Sequence, residues 1–159
     1  MPRPLPTIAA CAALAVTLLA GPASAGGRCA SSPADQSAVA EAVRAWFKAA
    51  ATDDEAGVLA VQAPEFYAFD AGERFEGRAL FDVVKQAHAE GVVIEWNLGP
   101  IKAETHCDLA WASWENHGRA GRGDKLQSIS WQESAVFRRD KGRWRMVFLH
   151  SNRANAPKG

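Results

Sequence analysis

Glu133 lies in the run Trp131-Gln132-Glu133-Ser134-Ala135-Val136-Phe137, where alternation places it on one face with Trp131, Ala135 and Phe137. A carboxyl in an apolar row loses hydration on folding, so its pKa rises. Such a group suits proton abstraction from carbon beside a carbonyl. The competing reading ties Glu133 to Arg143 or Arg145 on the following strand. His150 ends the row Trp144, Met146, Phe148, His150, whose apolar members point that face inward. It is a candidate base or ligand contact, or else a core histidine donating to a carbonyl. Asp70 precedes Ala71-Gly72 and is either a second catalytic carboxylate or a turn residue accepting backbone hydrogen bonds.

Around these three, aromatic side chains supply a candidate ligand lining: Trp46, Tyr67, Phe69, Trp96, Trp111, Trp131 and Phe148. Tyr67 is the only tyrosine, and its hydroxyl could polarise a carbonyl. Both rows of the segment 109–117 hold a Trp, so either Trp111, Ser113, Glu115 or Ala110, Ala112, Trp114, Asn116 faces inward. Glu115 would join Glu133 in a carboxylate pair only in the first case. Other chemistries find no support. His106, Cys107 and Asp108 are adjacent and point to different sides, so no metal is expected. The glycines at 118–123 join two strands and offer no helix N-terminus to a phosphate. No serine elbow accompanies a His and an Asp, and no cofactor is expected.

These residues need a scaffold that points them at one another. Val39, Val43, Trp46, Phe47 and Ala50 recur at helical spacing, which predicts a helix over 35–51. Thr52-Asp53-Asp54 caps a short second helix near 54–62. Strands at 65–70 and 74–76 form a hairpin, and Leu80, Phe81, Val84 and Ala87 mark a third helix at 78–90. Period two follows: a strand over 92–105 bent at Gly99-Pro100, strands at 109–117 and 127–139, and a last strand at 143–151. The segment 118–125 reads as a loop. Helices first and strands last is the α+β pattern. The expected architecture is a cone of three helices on a curved antiparallel sheet, in the order α-α-β-β-α-β-β-β-β.

The 159-residue chain is 48% hydrophobic, with six Trp, and has zero net charge, which suits one globular domain and not a nucleic-acid binder. Its arginines form two clusters, 119–122 and 138–145, separated by a strand roughly 40 Å long, so they do not merge into a groove. Arg3, the apolar run from Thr7 to Ala20 and Ala23-Ser24-Ala25 form a secretory signal peptide, 1–25. The run is too short to cross a bilayer, so the mature protein is expected to be exported, periplasmic or secreted, and free of the membrane. Residues 26–34 read as a flexible mature N-terminus, 35–152 as the domain and 153–159 as a frayed tail. Cys29 and Cys107 remain after processing, and an oxidising compartment allows them either to bridge or to stay as thiols.

Two segments resemble the nuclear transport factor 2-like superfamily. Phe66-Tyr67-Ala68-Phe69-Asp70-Ala71-Gly72-Glu73 with Gly77-Arg78 is similar to its first hairpin. Ser134 to Ser151, with Arg138-Arg139-Asp140-Lys141-Gly142-Arg143-Trp144-Arg145 at its turn, resembles the last hairpin of the SnoaL-like branch. The resemblance spans about 35–152. It implies a cone-shaped α+β barrel, often a homodimer through the outer sheet face; the small apolar or aromatic ligand is the expectation of the aromatic-rich interior. Members include isomerases, cyclases and dehydratases with a deep carboxylate base, and also non-catalytic binding and assembly domains. The fold does not choose among them, but the aromatic-rich interior and the lack of a matched catalytic set favour an exported small-molecule-binding domain with no assigned reaction. The alternatives are an isomerase, cyclase or dehydratase with a pocket carboxylate as base and a dimeric assembly domain.

Overall fold

The computed structural model describes Cys29 and residues 31–154; the expected signal peptide and the end of the tail fall outside the described residues. Among the described residues three α-helices and seven strands follow one another as α1 (Pro33–Ala51), α2 (Glu55–Val61), β1 (Gln62–Asp70), β2 (Glu73–Glu76), α3 (Ala79–Ala89), β3 (Val93–Glu95), β4 (Lys102–His106), β5 (Leu109–Gly121), β6 (Gln127–Asp140) and β7 (Arg143–Arg153), with a single 3-10 turn at Gly123–Lys125 between β5 and β6. α1 opens at Ser32, whose hydroxyl accepts from the Asp35 N–H at 3.0 Å, with Pro33 in the first turn where no N–H is needed. The Asp54 carboxylate caps α2 in the same way, on Gly57 N–H at 3.0 Å. Ala71 and Gly72 both take positive φ, as do Lys141 and Gly142, the conformation that matches a two-residue turn to the twist of its strands.

One strongly curled sheet runs β2-β1-β7-β6-β5-β3, with β4 also paired to β5. The meander β5-β6-β7 is antiparallel as expected, but β1 joins β7 in parallel, so the sheet is mixed. The expected strand over 92–105 divides at the Gly99-Pro100 bend into β3 and β4, which pair with opposite ends of β5. β5 continues to Gly121, beyond the expected loop start at Gly118, because Arg119 to Gly121 pair with β3. Gly118 permits that pairing: a Cβ there would lie 1.8 Å from the Glu95 carbonyl oxygen.

The helices fill the concave side. Val39, Val43, Trp46 and Phe47 of α1, Val58 of α2 and Phe81 of α3 pack on Phe66, Ala112, Trp114, Phe137, Met146 and Leu149 of the sheet. A disulfide between Cys29 and Cys107 ties the segment before α1 to the β4–β5 turn, across 78 residues of sequence. Closing a loop of that length restricts the unfolded chain by about 4.5 kcal/mol in the chain-entropy model. Ser31 adds a hydrogen bond to Thr105 at 3.0 Å beside it.

Candidate functional site

The open end of the cone holds a cavity of about 620 Å³. Its walls are Trp46 and Phe47 from α1, Leu80, Val83 and Val84 from α3, Ile94 and Trp96 from and beside β3, and Trp131 from β6. The polar members are Asp70, Glu133, Ser151, Asn152 and Arg153.

Strand register explains why three of those polar groups meet. Asp70 on β1 is opposite Ser151 on β7, Ser151 is opposite Glu133 on β6, and Glu133 is opposite Trp114 on β5. One lateral row thus crosses four strands on the concave face. Glu133 is only 6% exposed. Its Oε2 accepts from the Trp114 indole N–H at 2.6 Å and from Asn116 Nδ2 at 3.1 Å. Burial raises the Glu133 pKa to about 7, and the Asp70 charge adds to the rise; the donors Asn116, Trp114 and Ser151 work against it. Burial also raises Asp70, opposed by Ser151, the Ala71 N–H, and the charges of Arg153 and His150. Near neutral pH Glu133 can both release and accept a proton.

The structure brings Glu133, Asp70, Trp46, Trp96 and Trp131 together around the cavity. It places the other sequence candidates elsewhere. Phe148 and His150 leave the expected inward row because the β6–β7 register slips: Phe137 pairs with Met146 but Val136 with Phe148, so Val147 is an extra residue. Past it, Leu149 and Ser151 point inward and His150 is exposed. Tyr67 and Phe69 share a face as expected, but it is the outer one, since Phe66 and Ala68 are the buried residues of β1. There Tyr67 packs on Phe148 at a 4.9 Å centroid distance, with the Arg74 guanidinium 4.0 Å from the Tyr67 ring. Trp111 is 54% exposed, because Ala110, Ala112, Trp114 and Asn116 form the inner row of β5. That row carries Glu115 to the outside, where it cannot pair with Glu133. The alternative partner of Glu133 is also engaged elsewhere: Arg145 donates to the Leu59 carbonyl at 3.2 Å and to that of Ala60, at the end of α2.

The sequence did not place Asn116 against Glu133, nor Ser151 and Arg153 at the cavity. Asn116 carried a signal, since a polar residue ended the row Ala110, Ala112, Trp114, and small alanines mark where helices approach. Ser151 carried none, because its direction depends on Val147.

Residues 39–153 match the SnoaL-like domain family, and the chain belongs to it, within the nuclear transport factor 2-like superfamily. Among solved structures, it is similar to an NTF2-like protein of unknown function from Pseudomonas putida KT2440, with 25% identity and a TM-score of 0.66, covering 81% of this chain and 93% of that one. A ketosteroid isomerase-like protein from Erwinia carotovora atroseptica SCRI1043 superposes with a TM-score of 0.64 at 16% identity, over 79% of this chain and all of that one (100%). The S. rosetta CaMKII hub does so with a TM-score of 0.64 at 20% identity, over 75% and 96%. The latter two likenesses are of fold alone. No curated protein matches the chain.

Proposed function

We propose that the cone binds a small, mainly apolar molecule and that Glu133 exchanges a proton with it, the chemistry of an isomerase, cyclase or dehydratase. The carrying observation is a buried carboxylate, with a pKa of about 7, at an apolar aromatic cavity. Asp70 is the second proton-handling group, communicating with Glu133 through Ser151. His150, on the outer face, has no part in it. The ketosteroid isomerase-like neighbour shows that the same fold is associated with isomerase-like proteins, which supports the class at the level of analogy.

The test uses a planar apolar ketone, 2-acetylnaphthalene, in deuterated buffer. Quenching of tryptophan fluorescence reports binding, because Trp46, Trp96 and Trp131 line the cavity. Loss of the methyl proton signal reports exchange. Glu133→Gln is expected to keep binding within about threefold and to slow exchange by about 10²–10⁴-fold. Binding without exchange in the wild-type protein reduces the function to ligand binding; no binding overturns the cavity reading.

Two further parts of this reading concern the whole molecule. Export follows from the N-terminal segment and agrees with the Cys29–Cys107 bridge. A homodimer through the outer sheet face follows from the apolar row described below.

A further inference from the structure

Asn116 is completely buried, yet it is an amide. Its Oδ1 accepts the backbone N–H of Asn97 at 2.9 Å, and this fixes which way the amide is turned. Nδ2 therefore faces Glu133 and donates to Oε2 at 3.1 Å. The second group on Oε2, the Trp114 indole N–H at 2.6 Å, is a donor with no acceptor capacity. A proton on Oε2 would face two donors, neither of which can turn away. Oε1 is the oxygen that these two donors leave open, on a side chain that lines the cavity.

We infer that Asn97, Asn116 and Trp114 form a donor clamp that keeps Glu133 Oε2 an acceptor in both protonation states and confines the exchangeable proton to Oε1. Asn116 and Trp114 are positioning residues: they touch Glu133, and Glu133 touches the ligand. The inference rests on the reading of Glu133 as the proton-exchanging group of the cavity. It adds the direction of exchange. Neutral Glu133 then offers one O–H donor from Oε1, and ionised Glu133 offers an acceptor from the same atom, with the Ser151 hydroxyl beside the carboxyl. The ligand group it meets is thus one that can accept in the first state or donate in the second, such as a carbonyl oxygen and its enol. A hydrocarbon gains nothing from this arrangement.

The clamp also sets proton affinity, since both donors stabilise the ionised form. Other charges near Glu133 are few. Asp70 on β1 opposes its ionisation, Arg153 on β7 and His150 on the outer face act on Asp70, and the lining residues of α1, α3 and the β3 segment are uncharged.

The test follows the Glu133 carboxyl carbon by ¹³C NMR during a pH titration of the full chain without ligand, the signal being assigned by its loss in Glu133→Gln. The wild-type midpoint is expected near 7. Asn116→Leu removes one donor and is expected to raise it by about one to two pH units. Asn116→Asp keeps the acceptor for Asn97 but sets an oxygen against Oε2, and is expected to raise it further. Trp114→Phe, which removes the other donor, covers the case in which Asn116 variants do not fold, and is also expected to raise it. A midpoint that stays or falls in Asn116→Leu or Trp114→Phe, or one lower in Asn116→Asp than in Asn116→Leu, overturns the clamp. A wild-type Glu133 that titrates with ordinary carboxylates overturns the cavity reading instead, and the order of the variants then still judges the clamp.

Discussion

Burying Glu133 makes stability depend on pH in a direction that can be worked out. Its folded pKa lies at about 7, above the unfolded value of 4.5, so the folded protein holds this proton more tightly than the unfolded chain. The stabilising contribution is complete below about pH 4.5 and is lost as pH rises through about 7. A shift of this size corresponds to roughly 3 kcal/mol. Glu133→Gln removes the titration while keeping an amide that fits the site. Urea unfolding of the two proteins at pH 5 and pH 8 is expected to show the variant gaining on the wild type by about that amount at the higher pH. Parallel profiles would show that Glu133 ionises without difficulty in the fold. The position of Glu133 was legible from alternation because β6 is regular through Trp131, Glu133, Ala135 and Phe137. Its partners were not, since they lie on strands whose register with β6 the sequence does not state.

At the scale of elements, one inserted residue decides which side chains the cavity has. Parity counted back from Trp144 and Met146 would bring Phe148 and His150 inward, and Val147 reverses it for the rest of β7. No local sequence signal marks such a slip, whereas the helix cap at Asp54 and both two-residue turns were readable from residue type. The choice between the two rows of β5 is a packing decision: the helices take the side with Ala110 and Ala112, which leaves Trp111 outside. Gly118 is the second such decision. β3 reaches β5 only because residue 118 has no side chain; the atom an added Cβ would strike is a backbone oxygen, which cannot rotate away. Gly118→Ala is therefore expected to cost about 1–3 kcal/mol by thermal unfolding. It should also weaken 2-acetylnaphthalene binding, because Ile94 and Trp96 form one cavity wall. Unchanged melting and binding would mean that β3 does not hold this wall.

The whole molecule carries apolar surface on both sides of its sheet, and only the concave side is covered by its own helices. On the convex side, register aligns Glu76, Tyr67, Phe148, Val136, Trp111 and Glu104 in a single row across β2, β1, β7, β6, β5 and β4. Its centre is aromatic and aliphatic, its ends are acidic, and Trp111 and Phe69 stand exposed within or beside it. A row spanning this much of a sheet suits a second copy of the chain, since a two-fold axis across the face sets each apolar centre on the other. Such a contact needs about 1,000 Å² or more of total buried surface, which a face six strands wide can supply. Trp111→Glu places a charge in the apolar part of the row, beside Glu104, without touching the cavity, the disulfide or the concave core. Sedimentation equilibrium is expected to give a dimer for the wild type and a monomer for the variant, with 2-acetylnaphthalene binding retained in both. A wild-type monomer, or a variant that stays dimeric, would remove the outer face from the assembly. A variant that loses ligand binding along with its partner would show instead that the cone holds its open shape only when two sheets brace each other.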